Sequence, residues 1–258
     1  MSEEQAVLLD IGNDGIATIT LNRPQAFNSM NQALLSGLLT ALLKAEGDAS
    51  VRVVIVRGSG NAFCGGGDLK AMADDIDRIE SAVGFFIDTA NAAVVAMRRL
   101  RVPVICSVHG SAAGGGFALA AAGDFIVAAE SARFVIAYSK IAVSPDAGLS
   151  YFLTERLGPW RAIDALLLRS HLTAAELREA GMVTRVVADD QLEAATRQLA
   201  QQIAQLPPTM ANSVKRLVNE RADRALGQQM SSERQGFIRC TGSREFAQRV
   251  DAFLQKKN

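Results

Sequence analysis

The sequence predicts an α/β protein, and two patterns in it say so. Short apolar runs of β-prone residues alternate with longer stretches of helical periodicity, and glycine or proline marks most changes of period. Two of the runs, "VRVVIVRGSG" and "VPVICSV", are almost wholly apolar, as buried strands are, and a helical stretch over 81–101 separates them. Strand, crossover helix and strand is the unit of an α/β core.

From the N-terminal end, "AVLLDIGNDGIATITLNRP" reads as a β-hairpin: two apolar runs flank Gly12-Asn13-Asp14-Gly15, and Pro24 ends the second. In "SMNQALLSGLLTALLKAEGD" Ser29 and Gln32 stand at the spacing of a capping box. Leu34, Leu35, Leu38, Leu39, Leu42 and Leu43 then recur at helical intervals, and Gly47 is the stop. Beyond "VPVICSV", short strands are expected at 125–129 and 133–136 and a helix over 147–157. From 159 onward the reading is helical through "RAIDALLLRS", "AAELREAG" and "QLEAATRQLAQQIAQL", until Pro207-Pro208 breaks the chain. The expected organisation is an α/β core over 1–200 and a helical region over 201–258, in a chain of 258 residues that can bury a sizeable core.

Composition excludes several classes of function. Lys+Arg and Asp+Glu balance at 27 each, which argues against a nucleic-acid or membrane-surface binder. The acidic "MSEEQAVLLD" lacks the basic region and apolar core of a signal peptide, and no eighteen-residue apolar run predicts a membrane span. Cys64, Cys106 and Cys240 are few and widely spaced, which points to a reducing, cytoplasmic setting without a disulfide framework. His109 and His171 are the only histidines and are not clustered with cysteine, so no metal site is expected.

Two glycine blocks carry the chemistry. "NAFCGGGDL" and "CSVHGSAAGGGFALAAAGD" each place three glycines after a strand, the second ahead of an uncharged helix. Neither fits a phosphate loop or a dinucleotide fingerprint. One reading is tight turns and close helix packing. The other is that backbone N–H groups at the two turns converge on one carbonyl oxygen, forming an oxyanion hole.

Together with "LNRPQAFNSM" and "HLTAAELREAGMVTRVV", these stretches, in this order and spacing, resemble the crotonase superfamily of enoyl-CoA hydratases and isomerases, from about residue 6 to 255. The resemblance implies a spiral of ββα units and a C-terminal helical region used in trimer formation, as a homo-trimer or dimer of trimers. It implies an acyl-CoA thioester as substrate, with coenzyme A part of that substrate and no separate cofactor. By motif match, Gly65 and Gly115 are expected to donate the two N–H groups to the thioester oxygen. Gln25, Ala26, Gly66, Gly67, Asp68 and Leu69 are expected along the coenzyme A path, with Cys64, Gly114 and Tyr138 nearby; Asp68 as a solvated loop charge stands as the other reading.

Hydratases of this superfamily carry two glutamates; here those positions match Ala118 and Tyr138, so the carboxylates that hold a water are missing. Another acid, Asp146, follows Pro145 in "SKIAVSPDAGLSYFL". It reads either as the N-cap of the next helix or, as the resemblance to the isomerase branch and above all to 1,2-epoxyphenylacetyl-CoA isomerases implies, as the acid/base that moves a proton. A carboxylate nucleophile, as in the superfamily's 4-chlorobenzoyl-CoA dehalogenases, is the further alternative, but that reaction wants a histidine in the 80s to 90s that this chain lacks. A weak hydratase and a non-catalytic acyl-CoA binder are the remaining alternatives. Tyr138 either donates its phenol or fills the space of a missing glutamate. Cys64 reads as a packing cysteine, His109 as a satisfied near-core residue, His171 as part of a polar helix–helix turn, and Lys256 and Lys257 as a solvated basic tail.

Overall fold

A computed structural model of the chain describes residues 5–73, 79–241 and 244–255. Strands β1 (Val7–Ile11) and β2 (Ile16–Leu21) form the expected hairpin, with Val7 opposite Leu21 and Ile11 opposite Ala17. Its turn closes where Gly15, at φ 78°, donates its N–H to the Gly12 carbonyl at 3.1 Å.

Beyond the hairpin come β3 (Val53–Gly58), β4 (Val104–Val108), β5 (Ser111–Ala113), β6 (Phe125–Ala129), β7 (Arg133–Val135), β8 (His171–Thr173) and β9 (Arg185–Val187). They sort into a six-stranded sheet in the order β1-β2-β3-β4-β6-β9, parallel from β2 onward, and a three-stranded sheet β5-β7-β8. The α/β expectation holds, and the apolar runs are indeed the sheet centre: Val104 to Val108 is buried at every residue. The second sheet begins only three residues after β4, so the chain leaves the main sheet at a fixed point and turns at once into the second glycine block.

Helix α1 (Gln32–Gly47) crosses from β2 to β3; α2 (Leu69–Ala73) and α3 (Ile79–Arg99) precede β4; α4 (Gly115–Ala121) follows β5. The cap of α1 is Asn31, whose Oδ1 accepts the Leu34 N–H at 2.9 Å, and not Ser29. Met30 forms a bridge with Gly67, which holds the chain extended there and delays the helix. Leu34, Leu35, Leu38 and Leu42 are buried, whereas Leu43 is 67% exposed, so the apolar stripe is wider than the face that packs.

Helix α5 (Leu149–Leu157) starts two residues later than expected, because Ala147 and Gly148 are both left-handed, at φ 51° and 83°. Helix α6 (Pro159–Leu168) follows. His171 opens strand β8 opposite Val135 and is not part of a helix–helix turn. Strands β5, β8 and β9 are three residues each, too short for periodicity to register. Helix α7 (Ala174–Glu179) is followed by α8 (Leu192–Ala204), α9 (Pro208–Thr241) and α10 (Arg244–Gln255). Lys256 and Lys257 lie outside the described residues. Among those described, no helix is long and apolar enough to cross a membrane.

A buried lysine fastens α9 to the core. Lys215 Nζ lies 2.8 Å from Asp124 Oδ2 and donates to the Met97 and Val102 carbonyls, each at 2.9 Å. Met97 is in the last turn of α3, where backbone carbonyls have no intrahelical partner, so the ammonium satisfies acceptors that would otherwise be stranded.

Candidate active site

The first glycine block is held by the loop that precedes α1. Pro24–Ala26 makes a single tight turn, after which Phe27 and Asn28 are both left-handed, at φ 52° and 56°. Asparagine tolerates that conformation better than most residues. Asn28 is fully buried; its Oδ1 accepts the Arg23 N–H and its Nδ2 donates to the Ser59 and Ala62 carbonyls, at 2.8 Å for the Arg23 and Ala62 bonds and also for Ser59. So fixed, the loop presents the Phe27 carbonyl to Gly65, and Met30 exchanges bonds with Gly66 and Asp68 at 2.7 and 2.9 Å.

The two glycine blocks meet backbone to backbone. The Cys64 N–H donates to the Ser111 carbonyl at 3.1 Å, and the Ala113 N–H returns to the Cys64 carbonyl at 2.9 Å. A Cβ built on Gly66, at φ 89°, would lie 2.6 Å from the Ala113 carbonyl oxygen, and one on Gly116 would collide with that of Cys64. Packing between the blocks therefore forbids side chains at both positions.

This geometry corrects the expected donor in the first block. The Gly65 N–H is already given to the Phe27 carbonyl at 2.8 Å. Gly66 turns its N–H toward the Cys64 sulfur. Gly114, the cap of α4, gives its own to the Val135 carbonyl at 3.0 Å. Among the described residues, the N–H groups of Gly67 and Gly115 make no such bond. The Gly115 group is one of the unpaired donors of the first turn of α4.

The cleft outside these turns has a volume of about 790 Å³. Gln25, Ala26, Gly65, Gly67, Asp68 and Leu69, all expected along the coenzyme A path, line it. Asp68 is not a solvated charge: its carboxylate pairs with Arg23 at 3.0 Å, and both side chains are more than four-fifths buried. Cys64 packs as the sequence reading expects. Its side chain is fully buried and donates to the Asn28 carbonyl at 3.2 Å, so it presents no face to a ligand. Burial pushes its thiol up to about 12, against a smaller opposing pull from the Gly66 N–H. Sequence reasoning missed Arg23, Lys70, Phe253 and Leu254, which also line this cleft. The basic residue before Pro24 was a usable signal for Arg23; nothing local marks α10 as a neighbour of this loop. His109 stands elsewhere, at a cleft beside α8, with Nε2 2.9 Å from the Gly60 carbonyl.

On the inner side of Gly115 sits the acid. Asp146 and Tyr138 are 6% and 5% exposed, and the Tyr138 hydroxyl donates to Asp146 Oδ1 at 2.8 Å. Gly148, with no side-chain cap, is the N-cap of α5, and the Asp146 carbonyl accepts the Leu149 N–H at 3.0 Å. The N-cap position of α5 thus belongs to Gly148 and not to Asp146. A Cβ built on Gly115 would lie 3.8 Å from Asp146 Oδ1, and one on Gly66 would lie 3.7 Å from the Gly115 nitrogen. The Gly115 amide and the buried Asp146 carboxylate thus lie close together, with the backbone of the first glycine block packed against that amide. Such an arrangement can polarise a carbonyl oxygen and move a proton on the carbon beside it. Ala118 is fully buried, and among the described residues no His, Cys, Asp or Glu cluster could hold a metal ion.

Known proteins are similar over nearly the full length. The family model described as enoyl-CoA hydratase/isomerase matches residues 12–258. The 1,2-epoxyphenylacetyl-CoA isomerase of Escherichia coli K12 is 35% identical over 246 residues, 95% of this chain and 94% of that protein. A probable enoyl-CoA hydratase of Mycobacterium bovis is 33% identical over 242 residues, 94% of this chain and 92% of that protein. Among solved structures, an enoyl-CoA hydratase from Mycobacterium avium subsp. paratuberculosis K-10 superposes with a TM-score of 0.87 at 28% identity, covering 97% of this chain and all of that one. A full-length match to the family model, a shared fold and these identities agree: the chain belongs to the enoyl-CoA hydratase/isomerase family, the crotonase superfamily.

Proposed function

We propose that this protein shifts the double bond of an unsaturated acyl-CoA thioester. The observation that carries the reading is Asp146, a buried carboxylate beside the Gly115 amide, in a site where Ala118 and Tyr138 replace the carboxylates that hydration needs. The thioester oxygen is held by the N–H groups of Gly67 and Gly115. The Asp146 carboxylate takes a proton from the carbon between the carbonyl and the double bond, and the electron pair spreads into the held oxygen. The same acid, now protonated, returns its proton to the far end of the dienolate, which regenerates the carboxylate. A single base suffices, and amide donors in a closed site contribute roughly 3 kcal/mol each to the enolate-like transition state.

The cleft of about 790 Å³ outside Gly65 and Gly67 is the path for coenzyme A, with exposed Lys70 beside it as a cation for its phosphates. Assembly into a homo-trimer or dimer of trimers is part of the proposal. Trp160, Ile163 and Leu167 on α6 are 85%, 53% and 67% exposed, and Met210, Val214 and Val218 form a second apolar stripe on α9. Exposed stripes of this kind favour burial against further copies.

The test compares a 3-enoyl-CoA with a 2-enoyl-CoA. Conversion of the first to its conjugated isomer is expected to outpace hydration of the second, and Asp146→Asn is expected to lower that rate about 10²-fold or more with acyl-CoA binding retained. Faster hydration, or full turnover by Asp146→Asn, overturns the proposal.

A further inference from the structure

We infer that Tyr138 is a positioning residue, which holds the Asp146 carboxylate against the Gly115 amide. The inference rests on the reading of Asp146 as the proton-transferring base, and it adds a part that neither the family match nor that reading assigns.

A phenol and a carboxylate, both nearly fully buried, meet at 2.8 Å with the phenol donating to Oδ1. The chain between them, from Ser139 to Pro145, is a loop in which Ser139 and Lys140 are exposed and Ala142 is left-handed at φ 58°. Immediately after the acid, Ala147 is left-handed as well. Asp146 itself therefore stands outside any helix or strand, and the Tyr138 hydroxyl is a direct hold on its carboxylate.

The phenol is fixed on the other side. Tyr138 opens a tight turn whose carbonyl accepts the Ile141 and Val143 N–H groups at 3.2 and 3.1 Å. A Cβ built on Gly114 would lie 3.9 Å from the Tyr138 hydroxyl oxygen, so the ring tip rests on the backbone that leads into Gly115. The phenol therefore measures off the distance between acid and amide. Filling a cavity does not require a hydroxyl here, since phenylalanine has almost the same volume and would avoid burying a polar atom. The hydroxyl is accounted for by the acceptor it finds.

In the expected result, Tyr138→Phe lowers kcat for the 3-enoyl-CoA about ten- to hundredfold, the loss typical of a reacting group displaced by about 1 Å, with KM within about twofold. Rates are taken per site that binds a saturated acyl-CoA, so that partial misfolding does not enter. A crystal structure of Tyr138→Phe is expected to show the Asp146 carboxylate moved away from Gly115. Unchanged kcat, a loss confined to KM, or a fall in kcat with Asp146 unmoved each overturns the positioning role; the last would mean that the phenol acts on the substrate itself. Asp146→Asn is assayed separately. Full turnover there removes the base reading, whereas an inactive Asp146→Asn beside a fully active Tyr138→Phe removes only the inference about the phenol.

Discussion

The Gly65 N–H donates to the Phe27 carbonyl at 2.8 Å, and that bond decides which amide of the first glycine block is left for a ligand. Phe27 is held in its left-handed conformation next to buried Asn28, whose side chain bonds to both sides of the loop junction. Asn28→Ala strands the Ser59 and Ala62 carbonyls and the Arg23 N–H. It is expected to cost about 3 kcal/mol of stability and to lower kcat in the folded fraction, read by thermal unfolding and initial rates. Gly65→Ala is expected to be mild, with kcat within about tenfold, because its Cβ meets the Ser29 hydroxyl at 2.7 Å and that small side chain can turn aside. A collapse of kcat in Gly65→Ala would return Gly65 to the oxygen site.

Gly115 and Gly116 are neighbours with opposite obligations. A Cβ on Gly115 meets the Met30 methyl at 2.5 Å, the flexible end of a side chain, and projects to within 3.8 Å of Asp146. Gly115→Ala is therefore expected to fold and to lose about 10²-fold or more in kcat by obstructing the bound oxygen. A Cβ on Gly116 meets the backbone of Cys64, which cannot move without parting the two glycine blocks. Gly116→Ala is expected to lose about 1–3 kcal/mol of stability before any effect on chemistry. Circular dichroism melts beside kinetics separate the two; equal stability losses would refute the distinction.

What the sequence reveals here tracks the range of the interactions involved. The hairpin, α1 and the buried strands rest on local periodicity and turn residues, so they are legible residue by residue. So are the two glycine blocks and the Pro145-Asp146 pair. The donor within "CGGGD" was not legible, because three adjacent glycines look alike and only the Phe27 carbonyl, nearly forty residues earlier, removes Gly65 from the set. Ser29 passed for a cap because the Met30–Gly67 bridge that displaces the helix start is non-local. Tyr138, which donates to Asp146, is only eight residues away, yet the loop between and after them turns through left-handed Ala142 and Ala147, which no alanine announces.

Lys215 ties the helix after Pro207-Pro208 to the core through Asp124 and two backbone carbonyls. Removing the cation leaves a carboxylate and two acceptors without it in a mostly buried setting. Lys215→Met is expected to cost about 3–5 kcal/mol. The double variant Lys215→Met/Asp124→Asn is expected to recover part of this loss, because no unpaired charge remains. Urea unfolding of the wild type, Lys215→Met, Asp124→Asn and the double variant measures the coupling, and additive losses would mean that the pair does not act as a unit.

Cys64 and Cys106 are both fully buried, and burial holds both thiols well above the ordinary range, Cys64 at about 12. The reactive thiolate is therefore scarce at neutral pH. Iodoacetamide at about pH 8 is expected to leave both unmodified in the folded protein and to label them after denaturation, as peptide mass mapping reads. Rapid labelling of native Cys64 would reopen a role for it beside Gly65.

The capping box of α7 supplies a prediction in acid. Thr173 Oγ1 accepts the Glu176 N–H at 3.2 Å, and the Glu176 carboxylate accepts the Thr173 N–H at 2.7 Å while also pairing with Arg169. The Thr173 N–H is the main cause, with Arg169 next, of a carboxyl held down at about 2 from 4.5. A folded-state value below the unfolded one means that the carboxylate's contribution is complete above about 4.5 and disappears as pH falls through about 2. Glu176→Ala is expected to cost about 1 kcal/mol near neutrality, a modest figure because the side chain is 41% exposed and its ion pair is screened by solvent. The difference between wild type and variant, followed by urea unfolding down the acid range, is expected to shrink across that window. A difference that stays constant to the lowest pH would show that the ionised carboxylate is not what holds the start of α7.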